Sequence, residues 1–123
     1  MMLVTINQHG KIPIFRQLIQ EIKMKIASGE LSPGDKLPSI RELAVYLSLN
    51  PNTVMKSYRE LEREGLVKTK MGKGVFVSEN LNESTINQLK KNILFQKIDE
   101  MVNTAKMLNI KKQEIIEEIN KRY

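Results

Sequence analysis

Apolar residues recur at helical spacing in five stretches of this chain, and two short β-prone runs lie between the third and the fourth. Over residues 13–28, Ile14, Phe15, Leu18, Ile19, Ile22 and Ile26 form a broad apolar face. This predicts a helix opened by Pro13 and closed by Gly29. Pro33-Gly34 then marks a turn. Ile40, Leu43, Ala44 and Leu47 make the next stripe. Ser39 stands before it with Glu42 three residues on, which is a capping box: hydroxyl and carboxylate each satisfy a backbone N–H of the other. Val54, Tyr58 and Leu61 make the third stripe, in a helix predicted over residues 51–64. Asn50 suits its N-cap, Pro51 its first position, and Gly65 a left-handed stop. Two short helices joined by so tight a turn predict a helix-turn-helix. The β-prone runs Leu66, Val67, Thr69 and Val75, Phe76, Val77 flank Lys70-Met71-Gly72-Lys73-Gly74, a hairpin expected to need positive φ. A wing after a helix-turn-helix defines the predicted class: mainly α with a small β-hairpin, an N-terminal winged helix-turn-helix over residues 1–78.

The remaining residues, 79–123, read as a short two-helix tail. Asn80-Leu81-Asn82-Glu83 resembles a linker, and Ser84 or Thr85 is expected to cap a helix running to about Leu108. Asn109 fits a left-handed stop, and a last helix is expected over about 111–122, with Lys111 a poor N-cap. The apolar positions Ile86, Leu89, Ile93, Ile98, Met101, Val102, Ala105, Leu108, Ile115 and Ile119 exceed what one such helix pair can hide. A segment this short cannot build an independent core of useful size. The expected solution is a symmetric homodimer with those residues at its interface. Folding back onto the winged domain is the alternative.

Within the predicted helix-turn-helix, Asn52 and Thr53 fall in the first turn of the second helix. Their short side chains and free amides are placed to meet base edges or phosphate. Lys56 lies one turn in, suited to phosphate or base. Arg41 points away from its helix's apolar stripe, toward solvent or phosphate. Arg63, and in part Arg59, read as a solvated face paired with Glu60, Glu62 and Glu64. In the wing, Lys70 and Lys73 flank Gly72. Lysine in a Gly-rich loop also suggests nucleotide phosphate binding, but Val-Phe-Val follows as a strand where a phosphate loop would open a helix.

Charge sharpens this picture. The 123-residue chain carries +6. Residues 1–78 hold 12 Lys/Arg against 7 Asp/Glu, and residues 79–123 hold 8 against 7. The basic excess lies with the winged module and favours double-stranded DNA as partner. Cysteine is absent, which fits a reducing cytoplasm. No run of ~18 apolar residues and no signal-peptide pattern is present, so no membrane span is expected. His9 is the lone histidine and reads as an exposed loop residue. Neither a metal site nor a cofactor is expected, and nothing in the pattern suggests an enzyme.

The combined pattern resembles the N-terminal domain of the GntR family of bacterial transcription regulators over residues 13–77, about half the chain. Residues 26–29 and 31–39, Arg41-Glu42-Leu43-Ala44, Asn50-Pro51-Asn52-Thr53-Val54, Tyr58, Leu61, Glu62, Gly65-Leu66 and Gly72-Lys73-Gly74-Val75-Phe76-Val77 carry the resemblance. The Asn-Pro-Asn-Thr-Val entry and the short tail are similar to the YtrA subfamily. The resemblance implies a homodimeric repressor on an inverted-repeat operator, with contacts at Ser39, Arg41, Asn52, Thr53, Lys56, Gly72 and Lys73. With Asn50 at the helix entry and Lys70 in the wing, these complete the expected DNA surface. It further implies control of a neighbouring operon for an ATP-driven transporter. Many members carry Arg where Pro51 and Met55 stand here, so operators borrowed from other subfamilies do not transfer. The chain has no room for the large effector domains of longer relatives, which leaves a small-molecule effector only the tail's own crevices. A nonspecific architectural DNA binder and a winged-helix protein-docking module are the alternatives.

Overall fold

A computed structural model describes residues 4–123. Its elements run α1 (Ile14–Ser28), α2 (Ile40–Leu47), α3 (Pro51–Arg63), β1 (Val67–Lys70), β2 (Gly74–Val77), α4 (Glu83–Met107) and α5 (Lys112–Arg122). The chain divides into two compact units, the first reaching to Lys90 and the second spanning Lys91–Tyr123.

In the first unit α1 and α2 both pack on α3, and α3 packs on β1. The predicted apolar stripes meet there. Leu18, Ile22 and Ile26 of α1, Leu43 of α2, Val54 and Leu61 of α3, with Leu37 and Val77, are fully buried. Each such side chain contributes about 1.5–3 kcal/mol by leaving water. Truncating one to Ala would cost about 2–5 kcal/mol, because the cavity adds to the lost transfer energy.

Local chemistry sets the helix ends. The Ser39 hydroxyl accepts from Glu42 N–H (3.0 Å), and the Glu42 carboxylate accepts from Ser39 N–H (3.2 Å), completing the capping box. At the end of α3, Gly65 takes φ 80°, Leu66 N–H reaches Leu61 C=O (3.0 Å) and Gly65 N–H reaches Glu62 C=O (2.9 Å). This pair of bonds is a Schellman stop. The turn between α2 and α3 is made by Ser48, a non-glycine residue at φ 56°. Leu49 N–H then closes onto Ala44 C=O at 2.8 Å.

β1 and β2 pair antiparallel with Val67 opposite Val77 and Lys70 opposite Gly74. The hairpin turns at Gly72, φ 71°, and Lys73 N–H bonds Lys70 C=O at 2.9 Å. A third extended piece, not foreseen in the sequence, lies along the other edge of β2. Gly34 N–H donates to Val77 C=O (2.9 Å), Val77 N–H to Asp35 C=O (2.8 Å) and Leu37 N–H to Val75 C=O (2.8 Å). The segment before α2 is thereby stitched to the wing.

The described residues before α1 are irregular but tethered. Gln17 accepts from Asn7 N–H (2.7 Å) and donates to the carbonyls of Asn7 and Ile12 (both 2.8 Å). At the start of α4 the expectation needs correction. Neither Ser84 nor Thr85 is the cap; the Asn82 side chain accepts from Thr85 N–H (2.9 Å) and the Thr85 hydroxyl (3.1 Å). Its short carbonyl arm reaches the N3 amide from one residue before the helix.

In the second unit, Asn109 stops α4 at φ 56°, with Ile110 N–H on Ala105 C=O (2.9 Å). Lys111 precedes α5 with no side-chain cap bond. Met101, Ile110, Ile115 and Ile119 line one crevice between the end of α4 and α5. Of the ten apolar positions expected at an interface, Leu89 and Ala105 are buried in the single chain. Ile86, Ile93, Val102 and Ile115 are half-buried, and Ile98, Met101, Leu108 and Ile119 are exposed. No helix among the described residues is long and apolar enough to cross a membrane.

Candidate nucleic-acid interface

The site begins at the entry of α3. The Asn50 side chain accepts from Asn52 N–H at 2.8 Å, and Asn50 C=O accepts from Thr53 N–H at 2.9 Å. Both amides are therefore occupied, contrary to the expectation that they stand free. The Asn52 side chain is exposed and that of Thr53 half-exposed. Asn52, Thr53 and Lys56 line one shallow cleft with Ile14 and Phe15 of α1.

Phe15 is where the sequence is least informative. Its place in the α1 stripe suggests core, yet the ring is half-exposed and carries two cations. The Lys56 ammonium sits 3.8 Å from the ring centroid and the Arg16 guanidinium 5.1 Å. Beneath it, the fully buried Ser57 hydroxyl donates to Phe15 C=O (2.9 Å) and Thr53 C=O (3.1 Å), tying the starts of α1 and α3 together. Tyr58 makes a second tie. Its hydroxyl donates to Pro38 C=O at 2.8 Å, so α3 grips the entry of α2. Burial raises the Tyr58 phenol above its ordinary range, and the nearby Glu42 carboxylate adds to the rise.

The charged face of α3 departs from the simple pairing expected. Glu60 does pair with Arg63. Glu62 instead accepts from Thr69 N–H (2.9 Å) and the Thr69 hydroxyl (3.1 Å), coupling α3 to the wing. Glu64 pairs with Lys23 of α1 at 3.0 Å. These three carboxylates brace the helix from its C-terminal half and leave its N-terminal half free of acidic side chains. The partners of Glu62 and Glu64, in the wing and in α1, have no local sequence signal.

In the wing, Lys70 lies 4.8 Å above the Phe76 ring and pairs with Glu79 at 3.3 Å. Lys73 is exposed and, like the exposed Arg41 and Arg59, makes no side-chain bond among the described residues. A Cβ at Gly74 would stand 3.0 Å from Lys36 Cε, so Lys36, which sequence reasoning missed, runs beside the wing. Ser39 keeps its hydroxyl in the capping box, at the exposed start of α2.

An exposed, acid-free entry to the second helix, three unpaired cations and a hairpin wing are the parts of a winged helix-turn-helix DNA-binding protein. The family model for the bacterial regulatory proteins of the gntR family matches residues 15–77. The HTH-type transcriptional repressor YtrA of Bacillus subtilis is 36% identical over 94% of this chain and 88% of its own length. A GntR family transcriptional regulator from Listeria monocytogenes superimposes with a TM-score of 0.79 at 34% identity, covering 90% of this chain and 96% of that one. The DNA-binding domain of AraR, solved in complex with operator ORX1, aligns with a TM-score of 0.56 and 26% identity over 61% of this chain and 96% of that one. The chain belongs to the GntR family, as a YtrA-like DNA-binding transcription regulator.

Proposed function

We propose that the protein is a homodimeric repressor that reads an inverted-repeat operator. In this reading α3 lies in the major groove, and the wing around Gly72 lies on backbone or minor groove. Asn52 and Thr53 meet base edges; Lys56, Arg41 and Lys73 meet phosphate, with Ser39 at the start of α2 beside them. Asn50 shapes the entry of α3, and Lys70 supports the wing through Phe76 and Glu79. The observation that carries the proposal is the α3 entry: exposed short polar side chains, cations beside them, and every carboxylate of the helix engaged elsewhere. The repressor name of the Bacillus subtilis relative supports the direction of control. Residues 1–78 form the DNA-binding part and 79–123 the dimerising tail. The apolar positions left exposed on α4 and α5 in the single chain support the second copy, since burying them repays association. By the resemblance to the YtrA subfamily, the regulated genes adjoin its own and encode an ATP-driven transporter.

A dimer in which each protomer neutralises about four to five phosphates gives a log–log salt slope of roughly −7 to −9. The test is anisotropy over a salt series, comparing DNA from upstream of its own gene with random duplex of equal length. A preference of about 10³ or more establishes sequence-specific reading, and Asn52→Ala should abolish it while nonspecific binding survives. Equal, steeply salt-dependent binding to both duplexes would favour the architectural alternative, and binding to neither the protein-docking one.

A further inference from the structure

The proposed DNA contacts lie on α2, α3 and the wing, and leave α1 as scaffold. One cluster does not fit a scaffold role. Phe15 stands in the first turn of α1, half-exposed, with the Lys56 ammonium at 3.8 Å and the Arg16 guanidinium at 5.1 Å from its ring centroid. The ring shares its cleft with Asn52 and Thr53, the two side chains best placed for bases. Its backbone is fixed to α3 by the Ser57 hydroxyl at 2.9 Å, which keeps the start of α1 beside the helix whose lysine the ring holds.

A free lysine at this position would sample many rotamers and lose that freedom on meeting a phosphate. An aromatic face holds the ammonium by the ring quadrupole while leaving its outward N–H donors available. Lys56 is exposed and no carboxylate pairs with it, so nothing else among the described residues competes for its charge. We propose that Phe15 is a positioning residue for DNA binding: it presets Lys56 beside Asn52 and Thr53, and with Arg16 extends the phosphate-binding surface onto α1. The proposal rests on Lys56 being a DNA contact.

The experiment is a double-mutant cycle on the full chain, read by anisotropy with the duplex that the wild-type protein enriches most from a random library. Phe15→Leu keeps an apolar side chain of similar size and removes the ring face. It should weaken binding about two- to fivefold, roughly the ordering cost that presetting one long side chain avoids. In a Lys56→Met background the same change should have no effect, since the positioned charge is gone. Pentafluorophenylalanine at position 15 keeps the shape and inverts the ring quadrupole, so it should match Phe15→Leu without any change in packing. Additive losses, wild-type affinity for the fluorinated protein, or tighter binding by Phe15→Leu would each overturn the proposal. If Lys56→Met alone binds as tightly as wild type, Lys56 is not a contact, and the reading beneath the proposal falls with it. A weakened Lys56→Met with an undiminished Phe15→Leu effect removes the positioning role only.

Discussion

Replacing Tyr58 by Phe removes one oxygen atom and tests how the helix-turn-helix is held. The hydroxyl is the only described hydrogen-bond donor to Pro38 C=O, at 2.8 Å, and the side chain is 4% exposed. Pro38 precedes the N-cap of α2, so its carbonyl is outside that helix's own ladder. Losing the phenol leaves a part-buried carbonyl unpartnered, which costs about 1–2 kcal/mol. For a chain of this length that lowers Tm by roughly 3–8 °C. The pH dependence is the sharper signature. Burial, with Glu42 nearby, raises the folded-state value of the phenol. The stabilisation is therefore fully present below the unfolded value of about 10 and is lost as pH rises through it toward the folded value. Tyr58→Phe has no such alkaline loss. Melting both proteins at one fixed concentration between neutral pH and about pH 11 should show a gap that narrows above about pH 10. Equal Tm at neutral pH, or a gap that stays constant through the alkaline range, would refute the account of this contact.

Three further outcomes are expected. The Ser39 hydroxyl and backbone N–H hold the Glu42 carboxyl below its ordinary range, so its stabilisation is present above about pH 4.3 and fades as pH falls through the depressed value; Glu42→Gln should flatten the acid limb of a Tm–pH profile, and an unchanged limb would discount the capping box. Lys73→Ala should bind all duplexes more weakly and reduce the salt slope by about 0.9 per protomer, nearly 2 for a dimer; an unchanged slope takes the wing off the phosphate backbone. Ile98→Glu combined with Ile119→Glu places charge at positions that are 38% and 43% exposed in the single chain. Sedimentation should then show a folded monomer, whereas a persistent dimer would move the interface elsewhere.

What could be seen in the sequence follows the range of the forces involved. The capping box at Ser39 and Glu42, the Asn50-Pro51 entry and the Gly65 and Asn109 stops are contacts within a few residues, and each stands in the structure where its pattern indicates. The cap of α4 is not legible in the same way: the pattern points to Ser84 or Thr85 and leaves Asn82 in the linker, whereas the backbone geometry makes Asn82 the cap. Ser48 carries positive φ without being glycine, so no composition signal marks it. The ties that shape the proposed DNA-facing surface are all nonlocal: Ser57 to Phe15, Tyr58 to Pro38, Glu62 to Thr69 and Lys56 over Phe15. A one-dimensional pattern identifies which residues are polar or aromatic, but only the packing of α1 against α3 decides which of them meet.

The bond from Leu37 N–H to Val75 C=O closes a ring of chain around α2, α3 and β1. Both ends of that segment are fastened in the same small sheet. Partial opening must break that sheet first, so the amides of α2 and α3 should exchange with solvent as a single cooperative block. A backbone nick placed at Ser48 would then leave two pieces still gripping each other through the sheet and the shared core, a reading head able to survive being cut at its own turn.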